Sequence, residues 1–341
     1  MSVKNKVLII VAVIIIAGLT FVLVSSKKTS FPTTSPVPDT TAQKEFDQSV
    51  NDIPKIKPQK IESAKLPDHV ISRFEKVVDG KLAFLGNDQT IYTIDMVSGQ
   101  QSAFELPDSL LDEDATFATF NDSLSEAIVE YGSANKIVHI ILANSESYIV
   151  DLDKPVGAIF ADKTYIFSGS DTLKVSILEN SKLSDYANLR INPVGVQATV
   201  FIKQVIIASS DGTYLLNSSQ TKVSAGNNLI LANNSKTLAV LNAKDIELLD
   251  GSLKKVRNLL ISYNIKNIFV DSSDNVFLAA SYSNEANDKL IKIDQDTSQS
   301  EIILPDQYPS FLQEFRIDRI LAVTDSEIDY ADQGNVFRII L

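Results

Sequence analysis

The sequence predicts an all-β domain of repeated four-stranded units, preceded by one apolar N-terminal helix and a linker. From Asp68 onward, short apolar runs alternate with polar turns, and helical periodicity is scarce. The apolar runs return at intervals near 40 residues. Close to the N-terminus of the 341-residue chain lies a long stretch without charge. These three observations predict an anchor, a linker and one repetitive β domain.

Residues 7–24 are eighteen consecutive positions without a charged side chain, enough to cross most of a hydrocarbon core as one helix. We expect a retained transmembrane helix after a short N-terminal tail at residues 1–6. A cleavable signal peptide is the alternative, because Ser25 and Ser26 follow the apolar run, but the run is longer than the usual apolar part of such a peptide.

Residues 25–66 are rich in Ser, Thr, Pro and Lys and predict a disordered linker or stalk. Pro32, Pro36 and Pro38 are incompatible with a regular helix. The folded domain is therefore expected at 67–341. With the N-terminus inside the cell, the predicted location is the cell membrane, single-pass, with the C-terminal domain on the extracytoplasmic side.

The segment 81–95 shows the repeated pattern most clearly. Lys81 to Leu85 and Thr90 to Asp95 are apolar or alternating runs, and Gly86 to Gln89 between them are turn residues. This pattern predicts a β-hairpin, and Ser98-Gly99 predicts a further turn after it.

The central apolar residue of the predicted first strand marks each unit, and these markers are Leu82, Ala127, Tyr165, Val205, Leu238, Val276 and Ile320. Successive markers are 45, 38, 40, 33, 38 and 44 residues apart. Units of this length with several strands are typical of the blades of a β-propeller, so the markers predict about seven four-stranded blades. The unequal spacings leave open a sandwich of two smaller β domains.

The segments 268–279 and 289–294 resemble a blade of the NHL-like and quinoprotein-like propeller superfamilies, and the general pattern resembles WD40-like repeats. The resemblance implies a propeller fold, and no functional residue is carried over from it. The chain contains no tryptophan, so it lacks the Trp-bearing motifs of quinoprotein blades and of WD repeats.

The chain ends in an apolar strand, residues 336–341, which would be an aggregation-prone edge if it were unpaired. Propellers commonly close by pairing the first and last strands of the domain. The expected partner is the segment 70–78.

Composition excludes several function classes. The formal net charge is −12, and no basic cluster follows Lys28, so nucleic acid is not an expected partner. The absence of cysteine excludes disulfides, thiolate metal sites and thiol nucleophiles.

Motifs for catalysis are weak. His69 and His139 are the two histidines, which excludes a multi-histidine metal site within one chain, and we expect structural or solvated roles for both. The sequence contains no Gly-x-Ser-x-Gly elbow and no phosphate-binding glycine loop. No catalytic or cofactor-binding residue is therefore predicted.

Carboxylates provide the only metal candidates. Asp294 and Asp296 have the alternate spacing found in calcium loops, and Asp271 and Asp274 form a second acidic pair, so these four residues are the candidate ligands of a Ca²⁺ ion. Gln299 stands where such a loop needs glycine, which favours an ordinary turn. The acidic run Asp112, Glu113 and Asp114 is expected to be a solvated loop.

These features favour a membrane-anchored binding or scaffold module whose loops dock another protein, a peptide or a glycan, without catalysis and without a required cofactor. The alternative is a propeller-type hydrolase or lactonase that uses a divalent cation held by carboxylates near the central channel.

Overall fold

The computed structural model describes residues 55–341 apart from eight short segments: 111–112, 218–220, 225–229, 243–244, 261–263, 282–286, 295–299 and 304–314. Pro54–Leu341 forms one compact unit. The predicted transmembrane helix and most of the predicted linker lie outside the described residues. Within the described part, no helix is long and apolar enough to span a bilayer.

The described chain forms 29 strands and one short 3₁₀ helix, Asp108–Leu110. Two short strands come first, β1 (Lys55–Ile56) and β2 (Lys60–Ser63). The next twelve are β3 (Ser72–Val78), β4 (Lys81–Gly86), β5 (Thr90–Asp95), β6 (Gln101–Glu105), β7 (Phe117–Phe120), β8 (Glu126–Tyr131), β9 (Lys136–Ile141), β10 (Glu146–Asp151), β11 (Pro155–Phe160), β12 (Thr164–Ser168), β13 (Leu173–Glu179) and β14 (Lys182–Leu189). The remaining fifteen are β15 (Gln197–Phe201), β16 (Gln204–Ser209), β17 (Gly212–Leu215), β18 (Thr221–Ser224), β19 (Leu231–Asn233), β20 (Leu238–Leu241), β21 (Asp245–Leu249), β22 (Lys255–Leu260), β23 (Asn264–Val270), β24 (Val276–Ser281), β25 (Lys289–Ile293), β26 (Ser300–Ile303), β27 (Arg319–Val323), β28 (Glu327–Asp332) and β29 (Asn335–Ile340).

These strands form a seven-bladed β-propeller. Blades 1 to 5 are the sheets β3–β6, β7–β10, β11–β14, β15–β18 and β19–β22, blade 6 is β23–β26 with β1 added, and blade 7 is β27–β29 with β2. The first strand of each blade contacts the first strand of the next, and β27 contacts β3, which closes the ring. The prediction of seven four-stranded blades is confirmed, and the two-domain sandwich is excluded.

Each blade buries both faces because its strands are apolar on both sides. Ile128 and Ile137 of blade 2 pack against Ala158 and Ile166 of blade 3. Leu82 and other residues of blade 1 share a cluster with Val336 of blade 7. A blade therefore has no core of its own, and the stable unit is the complete ring.

The hairpin predicted at 81–95 is confirmed as β4 and β5, with Leu82 opposite Ile94. The turn after β5 is built by Asp95, whose Oδ1 accepts hydrogen bonds from the amides of Val97 at 3.1 Å and Ser98 at 2.8 Å. These hydrogen bonds lower the pKa of the Asp95 carboxyl, and Gly99 supplies the positive φ of 70°.

The markers of the repeat were correct in number but shifted in position. Six of them lie in the second strand of their blades, from Leu82 in β4 to Val276 in β24, whereas Ile320 lies in β27, the innermost strand of blade 7. The innermost strands are only half-buried and less regular, so their pattern is weaker in the sequence than that of the fully buried second strands.

The partner predicted for the terminal strand is wrong. β29 pairs antiparallel with β2, with Ile61 opposite Ile339, and the segment 70–78 instead contributes the innermost strand of blade 1. β2 thus supplies the outermost strand of blade 7 and lies within the range predicted as linker. The sequence reasoning missed it because the four residues Lys60–Ser63 carry only one large apolar side chain.

The N-terminal segment touches a second blade as well. β1 pairs parallel with β26, with Lys55 opposite Ile302, and extends blade 6 to five strands. Residues 55–63 therefore join the outer edges of blades 6 and 7.

Candidate binding site at the centre of the ring

The two ends of the ring differ in their loops. Each blade has four antiparallel strands, so the chain leaves a blade at the same end of the ring at which it entered. The connections between blades lie at this end, together with the turns between the second and third strands. We call this the upper end. The hairpins that follow the first and third strands form the lower end.

A central cavity of about 650 Å³ lies between the innermost strands. Its polar lining includes three cations, two carboxylates and several amide or hydroxyl side chains, and its apolar lining includes aromatic rings. The polar residues are Glu75, Lys76, Thr119, Asp122, Gln197, Thr199, Asn233, Lys266, Asn267 and Arg319. Such a mixture of apolar surface and a few placed polar groups is typical of a ligand site.

A smaller cavity of about 400 Å³, the seam notch, lies at the upper end where blade 7 meets blade 1. It is lined by Ser72, Arg73, Phe74, Glu75, Asp318, Arg319, Ala331 and Gly334. Ser72 N donates to Gly334 O at 2.9 Å, so the backbone itself crosses the seam. Gly334 has a φ of 79°, and a Cβ there would lie 1.9 Å from Ile71 Cγ2, so this position requires glycine.

The central cavity and the seam notch share Phe74, Glu75 and Arg319. Glu75 Oε2 accepts a hydrogen bond from Arg319 Nη2, and Ser72 Oγ donates to Glu75 Oε1 at 2.9 Å. The Glu75 side chain is 5% exposed and that of Arg319 is 42% exposed. The buried carboxylate therefore orients a guanidinium whose other side faces the cavity.

The backbone beside this pair is irregular. The pairing of β3 with β4 shifts between Arg73 and Lys76, so Phe74 and Glu75 form a bulge, and Phe74 has a φ of 53°. A bulky residue rarely adopts this conformation, and bulges commonly redirect side chains at functional sites. The ring of Phe74 lies 6.0 Å from that of Phe117, centroid to centroid.

A second bulge places Lys266 in the same cavity. The pairing of β23 with β24 shifts between Ile265 and Asn267, and Lys266 Nζ donates to Asp288 Oδ2 at 2.7 Å. Asp288 is buried and its Oδ2 also accepts from Ile317 N at 2.7 Å. Again a buried carboxylate holds a cation that lines the cavity.

Asp332, at the end of β28, is 4% exposed, and its Oδ1 has no hydrogen-bond partner. Burial raises the pKa of the Asp332 carboxyl to about 6, and the negative charges of Asp318 and Asp288 add to this shift. The positive charges of Arg316 and Lys266 oppose it.

Toward the lower end, Lys76 Nζ donates to Phe120 O and to Asp122 Oδ1, both at 2.8 Å. Both carboxylates of the cavity lining, Glu75 and Asp122, are thus paired with cations.

The predicted metal candidates lie elsewhere. Asp271 and Asp274 are in the lower-end turn after β23, where Asp271 Oδ1 accepts from Ser273 N at 2.9 Å and Asn275 N at 2.8 Å. Asp294 follows β25, and Asp296 lies outside the described residues. Among the residues that the structure describes, no group of three His, Cys, Asp or Glu side chains has the arrangement of a metal site. A Ca²⁺ site at these aspartates therefore stays a prediction.

The other polar residues singled out from the sequence are also away from the cavity. His139 lies in the third strand of blade 2, where its Nε2 is 2.8 Å from Glu126 Oε2, and His69 is exposed. Glu113 accepts a hydrogen bond from Ser133 Oγ at 2.6 Å, Asp114 is exposed, and Asp112 lies outside the described residues.

Sequence reasoning missed the residues that do converge: Glu75, Lys266 and Arg319. The distribution of arginine in the sequence could have pointed to Arg319, because the chain has only six arginines and two of them, Arg316 and Arg319, lie three positions apart.

Comparison with solved structures supports the fold. YCF48 bound to a D1 peptide is 13% identical, with a TM-score of 0.59 over 85% of this chain and 99% of that chain. The extracellular domain of the putative one-component system BT4673 from B. thetaiotaomicron is 13% identical, with a TM-score of 0.57 over 83% of this chain and 40% of that chain. The β-propeller domain of Cps50 (Swd1) from Myceliophteria thermophila is 9% identical, with a TM-score of 0.56 over 83% and 100%.

No family model matches the chain, and no curated protein matches its sequence. The strand topology and the similar solved structures therefore define the fold as a seven-bladed β-propeller, and the resemblance to WD40-like repeats stays a prediction. The resemblance to NHL-like and quinoprotein-like blades stays a prediction, because identities near 10% carry the fold alone.

Proposed function

We propose that this protein is a membrane-anchored binding module whose propeller holds a segment of another protein at the upper end of the central cavity. The observation that carries this proposal is the cavity itself, which is open to solvent, lined by aromatic and amide side chains and furnished with cations held by buried carboxylates. Peptides are recognised by such combinations of apolar surface and placed hydrogen-bonding groups. Loops that a rigid scaffold positions commonly carry the residues that bind a partner.

A glycan is the other partner class expected from the sequence. The aromatic rings at the cavity include Phe74, Phe117 and Phe160, and the two carboxylates of the same lining are held in ion pairs with cations of the protein instead of being open to a sugar. This lining favours a peptide as the occupant.

The hydrolase or lactonase alternative needs carboxylates that are available to hold a divalent cation. The carboxylates of the cavity lining are Glu75 and Asp122, and each is already paired with a cation of the protein. The lining therefore supports binding better than this chemistry.

The location in the proposal rests on the apolar segment at residues 7–24. We propose that it anchors the chain in the cell membrane as a single pass, with the propeller outside the cytoplasm. Alkaline carbonate extraction followed by protease treatment of intact cells tests this: the chain should stay with the membrane, and the propeller should be reached from outside. Release by carbonate would contradict the anchor.

Binding is tested by mild crosslinking of full-length protein in native membranes, followed by affinity purification and mass spectrometry. The proposal predicts one abundant partner near equal stoichiometry. Recovery of the bait alone, under crosslinking that captures a known membrane complex in the same sample, would contradict it.

A further inference from the structure

The seam between the first and last blades concentrates arginine. The chain contains six arginines, and Arg73 and Arg319 both line the seam notch. Arg316 lies close enough to Asp332 to influence its carboxyl pKa. Half of the arginines thus gather at one upper-end site in a chain of net charge −12.

The charges at this site are arranged in two layers. The deeper layer consists of carboxylates: the side chains of Glu75 and Asp288 are 5% and 6% exposed, and Asp332 is also buried. The outer layer consists of cations, because Arg73 and Arg316 are exposed and Arg319 and Lys266 are partly exposed. Asp318 is the exception, an exposed carboxylate whose Oδ2 accepts from Gln333 N at 2.8 Å.

This layering decides what a ligand meets first. The formal charges nearly cancel, but the buried carboxylates of Glu75 and Asp288 already hold Arg319 and Lys266. Arg73, Arg319 and Lys266 line the cavities, where a ligand can reach them. A guanidinium has five N–H donors in a planar fork, and the contact with Glu75 uses one end of it at Arg319. The remaining edge has the geometry that binds a carboxylate with two parallel hydrogen bonds.

We propose that the seam notch binds a carboxylate of an acidic peptide, with Arg319 as its principal contact and Arg73 as a second cation. This inference rests on the proposed function and specifies the chemistry of the partner. Glu75 acts as a positioning residue that holds Arg319 in place.

A peptide fits the surroundings better than a polyanion. The strongly acidic chain repels nucleic acid, whereas a single carboxylate needs only the local cations. The central cavity, which shares Phe74, Glu75 and Arg319 with the notch, is also lined by Gln197, whose exposed side-chain amide matches the hydrogen-bonding groups of a peptide backbone.

The test uses full-length protein and an array of short random synthetic peptides. Each peptide is also made with Asn or Gln in place of Asp or Glu and with a blocked C-terminus. Wild-type protein should bind a subset of acidic peptides about tenfold or more above their neutral versions, as expected for loss of a charge-assisted hydrogen bond.

Arg319→Gln should remove most of this preference, Arg319→Lys should restore part of it, and Arg73→Gln should weaken it less. The matched control is Lys236→Gln, which removes one positive charge from an exposed lower-end turn and should leave the preference unchanged. Loss of the contact with Glu75 could destabilise the Arg319 variants, whereas Arg73 is exposed and its variant should fold. Thermal melting shows whether each variant is folded.

Equal binding of acidic and neutral peptides, or an unchanged preference in both Arg319→Gln and Arg73→Gln, would overturn the inference. If a protein partner still co-purifies in that case, the proposed function stands and only the carboxylate chemistry fails. If no peptide binds, the inference is overturned as well. If no peptide binds and no partner co-purifies, both the inference and the proposed binding function are overturned.

Discussion

Asp332 gives the account a sharp test of its electrostatics. The carboxyl is buried with one oxygen lacking a hydrogen-bond partner, and its pKa rises from 3.8 to about 6. A shift of about two units corresponds to at most about 3 kcal/mol of unfavourable free energy for the ionised form in the folded state. Because the surrounding groups can relax around the charge, we expect the ionised Asp332 carboxyl to cost about 1–3 kcal/mol of stability.

The direction with pH follows from proton binding. Because the folded pKa is higher than the unfolded one, the native state binds more protons between about pH 4 and pH 6, and this group lowers the stability as pH rises through that window. Above pH 6 the full penalty applies. Asp332→Asn removes the charge at almost constant shape. The substitution should therefore raise the free energy of unfolding at pH 7.5 and change it little at pH 4.

The assay is urea unfolding of wild type and variant at both pH values, because the difference between the two proteins cancels other titrating groups. The control is Asp185→Asn, whose carboxylate is 79% exposed and which should change stability by less than about 0.5 kcal/mol at either pH. An Asp332→Asn variant that is equally stable or less stable than wild type at pH 7.5 would show that the buried carboxylate does not destabilise the fold.

Two further predictions concern the ring. Ile61→Asp should lower the free energy of unfolding by about 2–4 kcal/mol, because Ile61 on β2 packs against the apolar cluster that blades 6 and 7 share. Lys60→Ser, at an exposed position of the same strand, should change the stability little, and equal melting temperatures of the two variants would contradict the packing of β2 in the ring. Ile202 and Lys203, in the turn between β15 and β16, have positive φ values of 47° and 62°, which are strained for these side chains. Asn and Gly adopt such values more easily, so the double change Ile202→Asn and Lys203→Gly should stabilise the fold by about 1–2 kcal/mol. The exposed fraction of Ile202 is 47%, so little burial is lost, and a drop in melting temperature would show that its contacts outweigh the backbone strain.

The fold was predictable from the sequence because the second and third strands of each blade are apolar and separated by recognisable turns. Leu82 and Val276 mark such strands directly, and Gly86 to Gln89 form the turn that the sequence predicted between β4 and β5. The closing strand β2 was not predictable, because its pairing with β29 joins residues far apart in sequence and its own pattern is short.

The site was not predictable for a related reason. Glu75 and Arg319 are separated by 244 positions, and they meet only because the ring brings the first and last blades together. The bulges at Phe74 and Lys266 redirect side chains in a manner that alternation along a strand cannot reveal. Convergence in space, rather than spacing in sequence, defines this site.

Site-specific photocrosslinking shows whether a protein partner binds at the upper end of the cavity. A photoreactive amino acid replaces Gln197, an exposed residue of the cavity lining, or Val97, which is 86% exposed in a lower-end turn, in full-length protein in native membranes. We predict one crosslinked partner from position 197 and none from position 97. Crosslinks to that partner from position 97 alone, or from neither position, would contradict it.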